Sequence, residues 1–441
     1  MNSNLPKVLQ PLAGQPLLGH VLDVAKSLGA EIHVVVGHGA QQVQDTFPDS
    51  KINWVMQTEQ NGTGHAVQVA IPNIENDQDM IVVLYGDVPL IKASTLQGLI
   101  SQAETCGLAI LTVEANDPSG YGRIVRDANA FAERIVEHKD ANSQELAIKE
   151  INSGILAGRA GLLRECLAKL KNNNAQGEYY LTDVVELANQ QGTQVAAVSA
   201  ETETEVAGVN DKLQLSQVEA AYRQRRAEEL LHQGATLADP SRVDVRGNVT
   251  VGKDVFIDIN VVLKGNIKLD DNVVIGPNCV IIESQVEQDA IIKANSILEY
   301  AHVGPRATVG PFARLRPEAF LGSDVRVGNF VEVKKSVLAK GAKVNHLTYI
   351  GDAQIGANVN VGAGTVTCNY DGVNKHKTVI KEDSFIGSGT MLVAPVEIGK
   401  ASTIAAGSVI TKDTPAEELT IARVKQKTVP GWKRPEKKDK I

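Results

Sequence analysis

The sequence predicts an α/β plus β protein: a Rossmann-like α/β half, a helical arm and a parallel β-helix built from hexapeptide repeats. Three observations carry this. An aliphatic residue recurs at every sixth position from about Val249 to Ile410. Residues up to about Val209 alternate strand-like runs with amphipathic stretches, and Asp211 to His232 contain neither Gly nor Pro. The boundaries expected are 1–210, 211–233 and 234–441.

In the α/β half, Glu31 to Val36, Asn53 to Gln57, Met80 to Tyr85, Ala109 to Val113 and Gln194 to Val198 read as strands. Between them Pro16 to Leu28, Gly64 to Ala70 and Thr95 to Ala103 read as helices, the βαβ rhythm of a doubly wound parallel sheet. Ile81 to Leu84 is apolar on both faces, as suits a central parallel strand. It leads into Tyr85-Gly86-Asp87, which sets a carboxylate at the carboxyl end of a strand, where ligands bind in such folds.

Residues 211–232 are rich in helix formers and form one arm. After it, Val251, Ile257, Leu263, Leu269, Ile275 and Ile281 make one register, and Val249, Val255, Val261, Ile267, Val273 and Cys279 a second, two residues ahead. The spacing resumes at Val303, Val309, Leu315, Leu321, Val327 and Val333, and again from Ile380 through Ile386, Leu392, Ile398 and Ile404 to Ile410. No helix repeats every six residues, whereas stacked coils of a β-helix do. Glycine often follows the aliphatic residue, as in Val251-Gly252, Ile275-Gly276, Val309-Gly310 and Val327-Gly328, and suits corners needing positive φ or close approach. The period breaks between Val366 and Thr378 for a polar loop tipped by Asp371-Gly372, a place where solenoids carry binding loops.

The 441 residues allow at least two cores. A net charge of −8 supplies no broad basic field and argues against nucleic acid as a partner. Basic residues cluster only in the tail, Lys433 to Lys440. Cys106, Cys166, Cys279 and Cys368 have no metal or disulfide spacing, and Cys279 falls in the aliphatic register. With no apolar run long enough for a membrane span and no signal peptide, a cytoplasmic location is expected.

The segments with chemistry in the first half are Leu5-Pro6-Lys7, Gln57, Gly62-Thr63-Gly64-His65-Ala66, Gly86-Asp87, Gly120-Tyr121-Gly122-Arg123, Glu137-His138-Lys139, Asn152-Ser153-Gly154 and Gly208-Val209-Asn210. A Gly-Thr-Gly turn admits a base or phosphate, Lys7 can neutralise phosphate, and Asp87 can hold a hard cation. In the solenoid, Arg314, Arg316, Lys334, Lys335, His346, Tyr349, Asn360, Asn369 and Tyr370 are polar residues a structural coil does not need. Amide formation from a thioester needs a base for the attacking amine, and histidine suits that. Of nine histidines, His346 in Asn345-His346-Leu347-Thr348-Tyr349 is the best placed.

In this order the motifs resemble, over essentially the whole chain, the bacterial bifunctional N-acetylglucosamine-1-phosphate uridyltransferase and glucosamine-1-phosphate N-acetyltransferase family. The resemblance implies a nucleotidyltransferase domain, a left-handed coil and a homotrimer. It implies glucosamine-1-phosphate, acetyl-CoA and UTP as substrates, with Mg²⁺ as cofactor. Lys7 would contact the UTP phosphates, Gln57, Gly62 and Thr63 the uracil nucleotide, and Gly122, Glu137 and Asn152 the sugar. Tyr85, Gly86, Asp87 and Asn210 complete that site, Asp87 and Asn210 as metal ligands. On the solenoid, Arg316 and Lys334 would bind the sugar phosphate, and Tyr349 and Asn360 the sugar. His346 would be the general base, and Ala363, Asn369, Tyr370, Ser388, Ala406 and Arg423 would line the acetyl-CoA site.

The chain departs from the family pattern at its start. Family members open with a strand and a Gly-rich L-x-A-G-x-G-T-R-M loop, and Met1 falls where that motif ends. The reading favoured is a start codon assigned too late, because the downstream site residues are intact, and both transfers are expected. The alternative, if the chain starts as written, is that neighbouring strands keep an unpaired apolar edge and the uridyltransferase is weak or absent, leaving an acetyltransferase. Glu318 and Asn345 stand where glycine occurs in family members and bear on affinity. A zinc solenoid of carbonic-anhydrase type would need a His-x4-His pair, which His302, His346 and His376 do not supply. A non-catalytic scaffold would have no reason to keep Arg316, Lys334, His346 and Tyr349.

Overall fold

The computed structural model describes residues 1–174 and 176–435. It divides into two compact units, Met1–Tyr222 and Arg223–Ile441; the helix Lys212–His232 contributes to both. Of the basic tail, Lys433 and Arg434 are described, and Lys437, Lys438 and Lys440 lie outside the described residues.

In the first unit the expected strands form at Ile32–Val36, Ile52–Met56, Met80–Val83, Leu108–Glu114 and Val195–Ser199. The helix Leu17–Ser27 is buried all round at its start, Leu17 to Leu22, with Leu17, Leu18, Val21 and Leu22 as its apolar part. Helix Ala93–Cys106 buries Leu96, Leu99 and Ala103 and ends at Gly107, whose φ of 96° closes it as glycine can.

The sheet is mixed rather than parallel throughout. Glu150–Arg159 runs antiparallel to both Leu108–Glu114 and Met80–Val83, and Arg123–Arg126 with Ala132–Val136 extends it as a hairpin. Met80–Val83 does pack on both faces: Ile81 and Val83 join the cluster around Leu163, while Met80 and Val82 join that around Leu96. Among the described residues its ladder runs only to Glu150–Arg159, and that of Ile32–Val36 only to Ile52–Met56. Each therefore leaves one edge unpaired, and its valines and isoleucines are mostly half-buried where a fully paired central strand would be buried.

The second unit is a stack of coils whose strands form three parallel sheets. One coil is three hexapeptides: Val243 pairs with Val261, Ile257 with Ile275, and Asn260 Nδ2 donates to Asn278 Oδ1, 18 residues on, at 2.9 Å. Every residue of the sixfold registers named above is buried except Val251, which packs against the same core. The interior is one column of aliphatic side chains, each resting on its counterpart one coil away.

The corner glycines work differently from one part of the expectation. Of the glycines that follow a valine, isoleucine or leucine of the repeat, only Gly310 has positive φ; most left-handed corners are held by residues such as Asp254, Asn260, Asn272, Asn278, Asp289 and Asn295, and others by Gly364, Gly389 and Gly407. Asparagine and aspartate tolerate that region because their short polar side chains bond locally. Glycines such as Gly328 and Gly356 are needed for close approach, since a Cβ on them would strike the backbone of the next coil.

Candidate functional site

In the first unit a cleft is lined by Tyr85, Asp87, Gly122, Glu137, Asn152 and Asn210, all expected site residues, with Tyr121, Ser153, Gly154 and Gly208 between them. Lys7, on a single 3₁₀ turn, puts Nζ 2.5 Å from Asp87 Oδ2 and 3.0 Å from Asn210 Oδ1. A cation thus already bridges the two expected metal ligands. The backbone pins this geometry, because Val209 N–H donates to the Asp87 carbonyl at 3.0 Å.

Burial pushes the Tyr85 hydroxyl up to about 12, against the hydrogen bond with Thr63. Its ring lies where a Cβ on Gly154 would sit, 2.6 Å from Cε2, and Gly154 has φ of 85°, so this position needs glycine. Burial also raises Glu137, whose carboxylate accepts from Thr182 Oγ1 at 3.2 Å. Asp183, which the sequence reading did not single out, is raised to about 6 by burial and by Glu186, Glu137 and Asp140. Gly62 (φ 107°) and Gly64 press on the Tyr179 backbone, Gly64 N–H donating to Tyr179 O at 2.8 Å, and Gln57 Nε2 donates to Gly62 O at 3.3 Å. Arg123 is 1% exposed, donates to the Tyr121 carbonyl and reaches His138 Nδ1 at 3.4 Å, so it holds the Gly120–Gly122 turn from behind.

On the β-helix, His346 ends the strand Lys343–His346, and its Nδ1 lies 2.9 Å from Asn329 Oδ1, one coil earlier. Successive coils continue this corner through Ala363, Ser388 and Ala406. Gly389 N–H donates to Ala363 O, Gly407 N–H to Ser388 O, and Arg423 to Ala406 O at 2.7 Å. The expected base and four expected acetyl-CoA residues therefore follow one edge.

Lys334 and Tyr349 share one sheet, and Arg316 follows its strand Arg314–Leu315. Arg316 donates to Glu332 at 2.7 Å, Glu332 is the ladder partner of Tyr349, and the Tyr349 ring covers Gly351. Lys375, supplied by the loop that interrupts the period, lies beside Lys334; its ammonium, with partial burial and the nearby Arg316, lowers Lys334 below the ordinary lysine range. Three cations converge there, a place for a phosphate. The sequence reading missed Lys375 because only the loop's return, closed by the Tyr370–Lys375 bridge, brings it back. Asn369 is buried and donates to Asp352 Oδ2 at 2.5 Å, while Tyr370 at the loop tip stays exposed. Asn360 stands on the adjoining sheet, paired with Lys343 and Phe385. His302 pairs with Glu287 and stacks on Phe320, and His376 pairs with Asp371, holding that carboxyl far below its usual range.

An α/β unit with a polar cleft around Lys7, Asp87 and Asn210, joined in one chain to a hexapeptide β-helix with a histidine edge, has the make-up of a two-site transferase. A MobA-like NTP transferase domain family matches residues 1–172, a GMPPB C-terminal domain family residues 242–328, and six bacterial transferase hexapeptide repeats residues 377–412. The bifunctional protein GlmU of Marinobacter nauticus is 52% identical over 99% of this chain and 96% of its own, and that of Chromobacterium violaceum 53% identical over the same shares. The chain belongs to the GlmU bifunctional protein family. HddC from Yersinia pseudotuberculosis, complexed with GMP-PN, covers 50% of this chain and 92% of its own at 16% identity and a TM-score of 0.37, too distant to bear on fold or activity.

Proposed function

We propose that the chain makes UDP-N-acetylglucosamine by two transfers, one in each unit. The β-helix moves an acetyl group from acetyl-CoA to glucosamine-1-phosphate, and the α/β unit moves a uridylyl group from UTP to N-acetylglucosamine-1-phosphate, releasing pyrophosphate. The observation that carries this reading is the family identity, which runs through both units alike.

In acetyl transfer the triad Arg316, Lys334 and Lys375 neutralises the sugar phosphate, and Tyr349 orients the sugar. The amine attacks the thioester carbonyl, its proton passes to His346, the C–S bond breaks, and the departing CoA thiolate takes that proton from His346 and leaves as the thiol. Arg423 and Asn369 hold the acyl carrier along the edge above His346. The glycine corners Gly364, Gly389 and Gly407 leave that strip free of side chains.

In uridylyl transfer a phosphate oxygen of the sugar attacks the α-phosphorus of UTP in line, and pyrophosphate leaves. That is a matter of positioning and charge neutralisation. Gln57, Gly62 and Thr63 hold the nucleotide, Gly122, Glu137 and Asn152 the sugar, and Lys7 a phosphate. Asp87 and Asn210 fit Mg²⁺, which binds through one or two protein oxygens plus phosphates and would supply positive charge to the triphosphate. Their grip on the Lys7 ammonium supports a cation at this point.

Assembly as a trimer belongs to the same reading. Phe312, Phe330 and Leu347 stack on one corner at 51, 56 and 63% exposure, all with positive φ that bulky residues rarely adopt. An exposed apolar ridge beside His346, with Asn360 on a different face from Tyr349, suits an acetyl site finished by a second copy. Among the described residues no helix is long and apolar enough to cross a membrane; we place the enzyme in the cytoplasm. His346→Ala tests the assignment: CoA release should fall by about 10²–10⁴-fold, the usual contribution of a general base, with pyrophosphate release unchanged.

A further inference from the structure

Asn329 and His346 are register partners at the ends of successive strands, Arg326–Asn329 and Lys343–His346. The amide oxygen of Asn329 meets the ring at Nδ1, 2.9 Å away. An amide oxygen has only lone pairs to offer, so the nitrogen facing it carries the hydrogen, and in a neutral imidazole the other nitrogen then keeps its lone pair. We propose that Asn329 is a positioning residue for acetyl transfer, holding His346 in the Nδ1–H tautomer so that Nε2 is the base. This rests on the reading of His346 as the general base.

The surroundings fix the pair. Leu347 N–H donates to the backbone carbonyl of Asn329 at 3.1 Å, so Asn329 anchors both the ring of His346 and the chain that follows it. Both residues precede a left-handed corner, Phe330 at φ 56° and Leu347 at φ 47°, which gives the two side chains the same exit direction. Gly328 brings the backbones close, since a Cβ there would collide with the Asn345 carbonyl oxygen. The charged groups on the two strands are Arg326 and Lys343, and the coil that follows presents Ala363 at this corner. None of these is a carboxylate that could take the place of Asn329 at Nδ1. An amide also orients the ring without adding negative charge next to an anionic sugar phosphate.

The test is CoA release against pH for the full chain and its Asn329→Ala, Asn329→Asp and His346→Ala variants, with pyrophosphate release and thermal melting followed on the same samples. Asn329→Ala should lower kcat by about 10–100-fold while both KM values stay within about twofold, the pattern of a lost positioning contact. Asn329→Asp keeps an acceptor oxygen, so most of kcat should return. Its negative charge favours the protonated ring and should move the acidic limb of the profile up by about one pH unit. Parent kcat in Asn329→Ala, with His346→Ala inactive, would overturn the role of Asn329 alone. Should Asn329→Ala melt early, the Asp variant decides, and an unmoved acidic limb there overturns the proposal. Full acetyl transfer in His346→Ala would instead remove the reading on which it rests.

Discussion

The Lys7 ammonium lies 2.5 Å from the Asp87 carboxylate, and its second contact, Asn210 Oδ1 at 3.0 Å, places it between both expected metal ligands. The ammonium stands at the point between the two oxygens that a metal ion would take. Lys7→Ala should therefore bind Mg²⁺ more tightly than the parent by calorimetry, since two oxygens lose their competitor. Pyrophosphate release should nonetheless fall by about 10²-fold, the scale for losing one charge-stabilising donor. Weaker Mg²⁺ binding in the variant would contradict this account of the cleft.

Asp183 gives the first unit a pH signature. Its folded value of about 6 is above the ordinary 3.8, mainly through burial, so the folded state binds the extra proton between those values. Stability from this group is therefore present below about pH 4 and lost as pH rises through about 6. Asp183→Asn should be more stable than the parent at pH 7 by about 1 kcal/mol, the full shift being reduced because the carboxyl is partly in water. The gain should vanish at pH 4, which denaturant titrations at the two pH values would measure.

Gly154 is expected to be irreplaceable for uridylyl transfer. Alanine there takes a strained φ of 85° and meets the Tyr85 ring. Loss of about 1–3 kcal/mol in the first unit should accompany a drop in pyrophosphate release, while CoA release stays at the parent level. Unchanged kinetics in both assays would mean that the Tyr85 wall does not shape the cleft.

Lys375 bears on substrate affinity rather than on chemistry. Lys375→Ala removes the neighbour that lowers Lys334, and with it one of the three cations. The KM for glucosamine-1-phosphate should rise about tenfold with kcat nearly constant, as for a contact made equally in ground and transition states. Steady-state kinetics at fixed acetyl-CoA would check it.

Burial in the β-helix can be read from the sixfold spacing because one physical requirement, stacking an aliphatic side chain on each coil, repeats with the chain. Ile257, Leu263 and Leu269 fall on three different sheets yet share one interior. The antiparallel strand Glu150–Arg159 could not be read that way, since its partners Leu108–Glu114 and Met80–Val83 are distant in sequence and the run looks like any buried segment. Site residues divided likewise. Asp87 and His346 stand in recognisable local strings, whereas Lys375 depends on how a loop returns and Asn329 on a 17-residue coil offset. Counting back the regular 18 residues from the histidine reaches Gly328, because the coil here is one residue shorter, so the Asn329 contact shows only in the structure.

The central claim is two separable active sites in one chain. Pyrophosphate release from UTP and N-acetylglucosamine-1-phosphate with Mg²⁺, run beside CoA release from acetyl-CoA and glucosamine-1-phosphate, tests it on the 441-residue chain and its Asp87→Ala and His346→Ala variants. The expected result is both activities in the parent, loss of pyrophosphate release alone in Asp87→Ala, and loss of CoA release alone in His346→Ala. A parent that transfers acetyl without releasing pyrophosphate, or a variant that loses both activities while still folded, would contradict it.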